Sequence, residues 1–230
     1  MTNRLYLVRH GENTANLTKE FSCRHIDYSL TEKGRLQASQ TADYFLDKDI
    51  HAVYASPLKR ALETAEIIAA RLGLRSVVME EFRELNVGEL ELRPVSAENW
   101  QLHNEICMDW MVGGRTRAFP GGDDYGSLWR RMQAGVRAVT AGQSGRNIVI
   151  AGHGGQFTMT ILDLCPAATL DQILAVESQN CSITEVVLGE DLRGELVRWA
   201  AHDHLHGEAA DLVSGFPKTA PGPAGKHAFK

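Results

Sequence analysis

Short apolar segments that stop abruptly at polar, glycine-containing turns recur along this chain and alternate with segments of helical periodicity. The apolar segments cover residues 5–8, 52–55, 77–79 and 147–151. A short continuous apolar run bounded by turn residues is typical of a buried strand. Strands that alternate with helices indicate a mainly parallel sheet with helices on both faces. The sequence therefore predicts an α/β fold with three layers, α/β/α, around a mainly parallel central sheet.

The helices between these strands carry boundary signals of their own. Residues 31–48 are predicted to form one helix. Ser56-Pro57 is predicted to begin the next, with the serine as N-cap and the proline in the first helical position, and Gly73 to end it. A further helix is expected after the fourth strand. Two late strands that form a hairpin are predicted at residues 182–188 and 195–200.

One domain is expected, because a chain of 230 residues, 43% of them hydrophobic, can bury one core. We place it at residues 1–213. Prolines, glycines and two tryptophans interrupt the periodic pattern in the middle of the chain, which predicts an inserted lid at about residues 86–123, over the C-terminal ends of the strands. Residues 214–230 lack periodicity and are predicted to be a loosely ordered tail.

Composition excludes several classes of protein. The net charge of −5 lacks the basic excess of a nucleic-acid binder. The four cysteines are too widely spaced for a zinc framework, and they are expected to be reduced thiols. No apolar run has the length of a signal peptide or a membrane span, so we expect a cytoplasmic protein without a membrane partner. The oligomeric state stays open, with a homodimer as one option.

Two histidines occupy equivalent places in the pattern. His10 and His153 each follow an apolar strand and stand next to glycine, which lets a ligand approach the backbone closely. The carboxyl ends of parallel strands are where α/β sheets bind ligands, so the two side chains could meet at one site. Arg9 precedes the first histidine, and Arg60 lies in the first turn of the helix predicted after Ser56. Two arginines and two histidines suit a phosphoryl group.

Seven segments, in order along the chain, resemble the motifs of the histidine phosphatase superfamily, which includes the cofactor-dependent phosphoglycerate mutases and many phosphatases. Together they span most of residues 4–188, and each lies on the element that the periodicity assigns to it. They are residues 9–12 with Asn16, 30–38, 56–65, 84–88, 119–123 with Arg131, 152–155 and 180–184.

The resemblance implies three catalytic residues. His10 would attack phosphorus in line as a neutral imidazole, while its other ring nitrogen donates to a backbone carbonyl. Protonated His153 would stabilise the charge that develops on the phosphoryl oxygens. Glu84 would protonate the leaving oxygen and then activate the water that cleaves the phosphohistidine.

The resemblance also implies the groups that hold the substrate, a small phosphorylated metabolite. These are Arg9, Arg60, Asn16 and Gly154. Because arginines supply the positive charge, no metal ion and no cofactor are expected.

Three functions compete at this point. A phosphatase transfers the phosphoryl group to water, whereas a mutase returns it to a sugar-acid hydroxyl. Mutases of the superfamily carry a longer insertion ahead of the second histidine, with paired arginines, and here Arg115-Thr116-Arg117 is the basic cluster of the predicted lid. Residues 15–16 and 21–24 also depart from the mutase pattern. These departures favour a phosphatase over a mutase. A non-catalytic protein that only binds a phospho-ligand is also disfavoured, because both the nucleophile and the acid are present.

Several residues keep two interpretations. Arg24, Arg115 and Arg117 could bind a second anionic group or be exposed loop residues. Trp100 and Trp110 could line the pocket or the core, and Trp129 is expected in the core. The alternating histidines of residues 202–206 could bind a metal ion, but no second cluster supports that interpretation.

Overall fold

The computed structural model describes residues 2–189 and 191–213. The predicted tail, residues 214–230, lies outside them. None of the helices in these ranges is both long enough and apolar enough to cross a membrane. The strands are β1 (Asn3–Arg9), β2 (Ile50–Ala55), β3 (Ser76–Val78), β4 (Asn147–Gly152), β5 (Ile183–Leu188) and β6 (Gly194–Ala201). The α-helices are α1 (Thr14–Thr18), α2 (Glu32–Tyr44), α3 (Lys59–Arg71), α4 (Ala97–Met111), α5 (Tyr125–Thr140), α6 (Gly154–Leu164) and α7 (Leu170–Leu174), with 3₁₀ turns at Glu80–Phe82, Gly88–Leu92 and Gly207–Ala210.

The strands form one mixed sheet in the order β3-β2-β4-β1-β5-β6. The first four are parallel, and β5 and β6 add an antiparallel hairpin at one edge. The prediction of an α/β fold with a mainly parallel sheet is confirmed, and so is the late hairpin. A dozen or more residues are needed to connect parallel strands, and here helices supply those connections.

Successive side chains of the strands bury against different helical layers, as a strand covered on both faces requires. In β1, Leu5 and Leu7 join one core cluster, together with Met132 of α5 and Ile161 of α6. The alternate residues Tyr6 and Val8 join a second cluster, in which the helical partners are Ala42, Phe45, Ala65 and Ile68.

The parallel register brings the ends of β1 and β4 together. Arg9 pairs with Gly152, and the backbone N–H of His10 donates to the carbonyl of Gly152 over 3.0 Å. The residues that follow these strands, His10 and His153, are therefore neighbours, as the sequence predicts.

Two predicted helix boundaries are wrong. Helix α2 ends at Tyr44 rather than at residue 48, because Phe45 is fully buried and the chain continues in tight turns that begin with the Phe45 N–H on the carbonyl of Ala42. Helix α3 begins at Lys59 with Leu58 as its N-cap, so Ser56 does not cap it. Gly73, in contrast, follows the helix with the positive φ of 68° that favours glycine.

The predicted lid interval builds a separate apolar cluster from the 3₁₀ turn Gly88–Leu92 and helix α4. Leu90, Ile106, Trp110 and Phe119 are buried there against Leu128 of α5. The interval is therefore a packed unit, and its action as a lid stays a prediction.

Helix α2 meets the loop after β1 through a close backbone contact. A Cβ atom on Gly34 would lie 2.1 Å from the carbonyl oxygen of Glu12, and one on Gly11 would lie 2.4 Å from the carbonyl oxygen of Gly34. The side chain of Gln37 accepts the N–H of Glu12 over 2.9 Å and completes this contact. The loop that carries His10 is thus supported directly by the helix backbone.

Gly34→Ala is expected to destabilise the fold by about 2 kcal/mol or more, because the new methyl group must displace backbone. The same change at Gly126, in helix α5, meets only the ends of the Arg130 and Asp124 side chains and should be neutral or stabilising by about 0.5–1 kcal/mol. Urea unfolding of both variants measures the difference. Equal effects of the two substitutions would contradict the close backbone contact.

Candidate active site

The first histidine is held in one tautomer. Nδ1 of His10 donates to the carbonyl oxygen of Gly11 over 2.7 Å, so the predicted bond to a backbone carbonyl is confirmed. Nε2 accepts a hydrogen bond from Nε of Arg60 over 3.0 Å. Burial, with the charges of Arg60 and Arg9, holds the pKa of His10 well below its usual value. His10 is therefore a neutral imidazole whose lone pair lies on Nε2.

Arg60 connects both histidines and a neighbouring loop. Besides its bond to His10, Nη2 donates to Nδ1 of His153 over 3.2 Å and to the carbonyl oxygen of Ser22 over 2.7 Å. Nη1 donates to Oγ of Ser22 over 3.1 Å. Burial lowers the pKa of Arg60 to about 10, so the side chain keeps its charge at neutral pH.

The loop that holds Arg60 is fixed from a distant part of the sequence. Oε1 of Glu91, a buried residue of the 3₁₀ turn Gly88–Leu92, accepts the backbone N–H groups of residues 23–26 at 2.7–3.0 Å. Because Ser22 precedes this stretch, the Glu91 carboxylate fixes the segment to which the Arg60 guanidinium is bound.

The second histidine is neutral, contrary to the expectation of an imidazolium. Arginine only donates, so Nδ1 of His153 accepts from Arg60, and Nε2–H donates to Oγ of Ser56 over 2.7 Å. Burial and the nearby charge of Arg60 hold the pKa of His153 well below its usual value. The ring is fully buried, with its centroid 5.3 Å from that of His10.

Arg9 has one N–H group that is available to a ligand. Nη1 donates to the carbonyl oxygen of Ser178, whereas Nε is buried and lacks a partner among the described residues. A Cβ atom on Gly154 would lie 3.2 Å from Cδ and 3.3 Å from Nε of Arg9, so the glycine leaves the guanidinium its space. The buried N–H favours an anionic ligand at this point.

The Glu84 carboxylate lies at the N-terminus of helix α6. Oε1 accepts the backbone N–H of Gln156 over 2.7 Å and that of Leu85 over 2.8 Å, and Oε2 accepts that of Gly155 over 3.2 Å. The helix dipole favours a negative charge there. Arg131 donates to the carbonyl oxygens of Arg83 and Glu84 and so fixes the backbone that carries the carboxylate.

Asn16 belongs to a polar network behind the first histidine. Its Oδ1 accepts from the backbone N–H of Asn13 over 3.1 Å and from Nδ2 of Asn180 over 3.0 Å. Asn180 Nδ2 also donates to the carbonyl oxygen of His10 over 3.0 Å. The Nδ2 group of Asn16 is then the part of the amide that can donate to a ligand.

A cavity of about 530 Å³ opens beside these groups. Six of the seven predicted site residues line it, whereas the buried His153 does not. The six are Arg9, His10, Asn16, Arg60, Glu84 and Gly154. The structure therefore brings the predicted residues together, although their roles stay predictions.

Of the tryptophans and arginines that had two interpretations, only one tryptophan lies at the cavity. Trp100 lines the cavity, whereas Trp110 is buried in the cluster of the inserted segment and Trp129 packs against core residues. None of the three candidate arginines lines the cavity. Instead, Arg24, Arg115 and Arg117 pair with Glu80, Asp163 and Glu105 over 3.1, 2.8 and 3.0 Å.

The histidines of residues 202–206 take part in local packing. Nε2 of His204 lies 3.0 Å from Oγ1 of Thr41, and its ring packs against Tyr44. In the part of the chain that the structure describes, no three His, Cys, Asp or Glu side chains are grouped to hold a metal ion.

Sequence reasoning missed Ser22, Ser56 and Asn180 as site residues. Ser56 carries a signal that was assigned to helix capping, and Asn180 belongs to one of the recognised motifs. Ser22 carries no local signal, because its importance comes only from its contact with Arg60.

Comparison with known proteins gives consistent matches. The family model of the histidine phosphatase superfamily (branch 1) matches residues 5–202. A putative phosphoserine phosphatase 2 from Hydrogenobacter thermophilus is 30% identical over 213 residues, which cover 91% of this chain and 93% of that protein. A probable phosphoglycerate mutase from Erwinia tasmaniensis is 34% identical over 190 residues, which cover 79% of this chain and 83% of that protein. A solved mycobacterial glucosyl-3-phosphoglycerate phosphatase has the same fold, with a TM-score of 0.72 at 23% identity over 87% of this chain and 100% of that chain.

The two buried neutral histidines predict acid sensitivity. Their pKa values are lower in the folded chain than the value near 6.5 of an unfolded one, so protons bind preferentially to the unfolded state. The stability that these two histidines contribute is therefore fully present above about pH 6.5 and decreases as the pH falls below that value. His10→Asn should reduce the slope of the unfolding free energy between pH 6.5 and 5 by about 1 kcal/mol per pH unit. His25→Asn is the control, because that side chain is exposed, and an unchanged slope in His10→Asn would contradict the neutral state.

Proposed function

Because the chain belongs to the histidine phosphatase superfamily and is a phosphatase of that type, we propose that it hydrolyses small phosphomonoesters through a phosphohistidine formed on Nε2 of His10. One observation carries this proposal. The Nδ1–H bond to the Gly11 carbonyl, together with burial beside two arginines, makes His10 a neutral imidazole with its lone pair on Nε2. That is the state a nitrogen nucleophile needs.

The first step forms the bond from Nε2 to phosphorus and breaks the ester P–O bond in line. Arg60 Nε, which donates to Nε2 of His10, transfers its hydrogen bond to a phosphoryl oxygen as the lone pair is used. Glu84 acts as the general acid in this step and gives a proton to the leaving alcohol oxygen. The buried Nε–H of Arg9 supplies a second charged donor.

The second step returns the enzyme to its initial state. Glu84 takes a proton from a water molecule, the water oxygen bonds to phosphorus, and the N–P bond breaks with its electron pair returning to Nε2. The ionised Glu84 carboxylate is stabilised by three backbone N–H groups, two of them at the start of helix α6. Two buried arginines provide the charge that a metal ion provides in other phosphatases.

Turnover should therefore continue in EDTA. With an aryl phosphate substrate, His10→Asn is expected to lower kcat by about 10⁴-fold or more, because it removes the nucleophile. Glu84→Gln should lower kcat by about 10²–10⁴-fold, with the greatest loss for poor leaving groups that need a proton. Loss of wild-type activity in EDTA, restored by a divalent metal, would contradict the metal-independent mechanism.

The mutase alternative rests on the relatives that carry that name. A mutase must hold a carboxylate, yet Arg115 and Arg117, the basic cluster of the inserted segment, pair with acidic residues away from the cavity. An assay with 3-phosphoglycerate and its bisphosphate cofactor distinguishes the two. We expect hydrolysis of phosphomonoesters to exceed isomerisation, whereas rapid isomerisation with far slower hydrolysis would establish the mutase. Failure to turn over any phosphoester would instead favour a phospho-ligand binder.

A further inference from the structure

The cavity continues well beyond the phosphoryl site, and the rest of its wall is largely apolar. Its volume of about 530 Å³ is typical of a site for a drug-sized ligand. The inserted segment and helix α6 contribute apolar side chains, and the segment around α7 with strand β6 contributes others. They are Leu85, Val87, Trp100, Cys107, Met108, Met111, Met159, Ile173, Leu174, Val176 and Trp199.

Aromatic rings form a packed group on this wall. The centroids of Phe21 and Trp100 lie 4.5 Å apart, and His103 lies 5.2 Å from Phe21 and 5.1 Å from Trp100. Trp100 Nε1 donates to the carbonyl oxygen of Lys19 over 3.0 Å, which holds the indole in place. The ring planes are inclined to one another by 27–63°, so the three rings form a fixed, angled aromatic section of the cavity wall.

The charged residues on the cavity wall disfavour a leaving alcohol that carries a carboxylate. Among the described residues that line the cavity, the cations are Arg9 and Arg60, and both lie at His10. Burial lowers the pKa of His103 to about 4, so that ring is neutral at physiological pH. Besides Glu84, the proposed proton donor, the charged residues on the wall are Glu20 and Glu177, and neither offers a carboxylate a counter-charge. An anionic group placed there would lose its hydration without gaining a counter-ion.

We infer that the preferred substrate is the phosphomonoester of an uncharged alcohol with an aromatic ring system, which lies against Phe21, Trp100 and His103. This inference rests on the proposed function and adds the class of the leaving group. It separates the chain from the acids that its relatives are named for, because phosphoserine and phosphoglycerate both carry a carboxylate.

A matched set of primary alkyl phosphates tests it, because esters of similar leaving-group chemistry isolate recognition. The set is ethyl phosphate, 2-phenylethyl phosphate, 2-(4-carboxyphenyl)ethyl phosphate, phosphoserine and 3-phosphoglycerate. We expect kcat/KM for 2-phenylethyl phosphate to exceed that of each of the others by about tenfold or more. The pair that differs only in the ring carboxylate measures the effect of charge alone.

The results distinguish an error in the substrate preference from an error in the proposed phosphatase activity. Equal or faster hydrolysis of the carboxylated esters would overturn the aromatic, uncharged leaving group and leave the phosphatase intact. Hydrolysis of none of the five would overturn the proposed function and the inference with it.

A variant connects the preference to the aromatic wall. Phe21→Ala should lower the ratio of kcat/KM for 2-phenylethyl phosphate over ethyl phosphate by about tenfold. This ratio does not depend on the fraction of folded enzyme, so partial misfolding does not imitate the result. Leu92→Ala is the control, because Leu92 is 68% exposed and lies off the cavity. An unchanged ratio in Phe21→Ala would overturn the inference.

Discussion

The buried Arg60 guanidinium is the interaction on which the site depends. It donates to His10, to His153 and to the loop at Ser22, so three separate parts of the chain share one fixed cation. A buried charge is tolerated only where its hydrogen bonds are made, which explains why these partners are placed so closely. Burial, together with the charge of Arg60, keeps both histidines neutral, and a neutral His10 is the form that can attack phosphorus.

The fold provides these contacts from elements that are far apart in sequence. The parallel pairing of β1 with β4 places the histidines side by side, and α3 carries Arg60 between them. Glu91 fixes the loop that holds Arg60, and the N-terminus of α6 holds Glu84. Rigid strands and helix ends therefore set the geometry around the two histidines, whereas the inserted segment lines the cavity that extends from them. This division allows one chemical mechanism to serve different leaving groups.

The layers of the fold and the residues that gather at the cavity could be predicted from sequence, because strand-end histidines and a helical arginine are local signals with a rule for where they meet. Long-range contacts could not be predicted in the same way. Ser56 has the local pattern of an N-cap, but its hydroxyl accepts the Nε2–H of the buried His153, and helix α3 begins at Lys59. The prediction of a protonated His153 was wrong for a related reason. The ring is neutral because it is buried against Arg60, and that contact exists only in the folded core. Ser22 and Glu91 were missed because each acts through a partner distant in sequence.

Transfer of the phosphoryl group through His10 requires two in-line displacements at phosphorus. The stereochemical course of hydrolysis tests this most directly, even where the intermediate does not accumulate. With a phosphorothioate monoester made chiral at phosphorus by two oxygen isotopes and hydrolysed in water of the third isotope, each in-line displacement inverts phosphorus once. Passage through a phosphohistidine gives net retention of configuration, whereas net inversion would mean direct attack by water and would exclude the covalent intermediate.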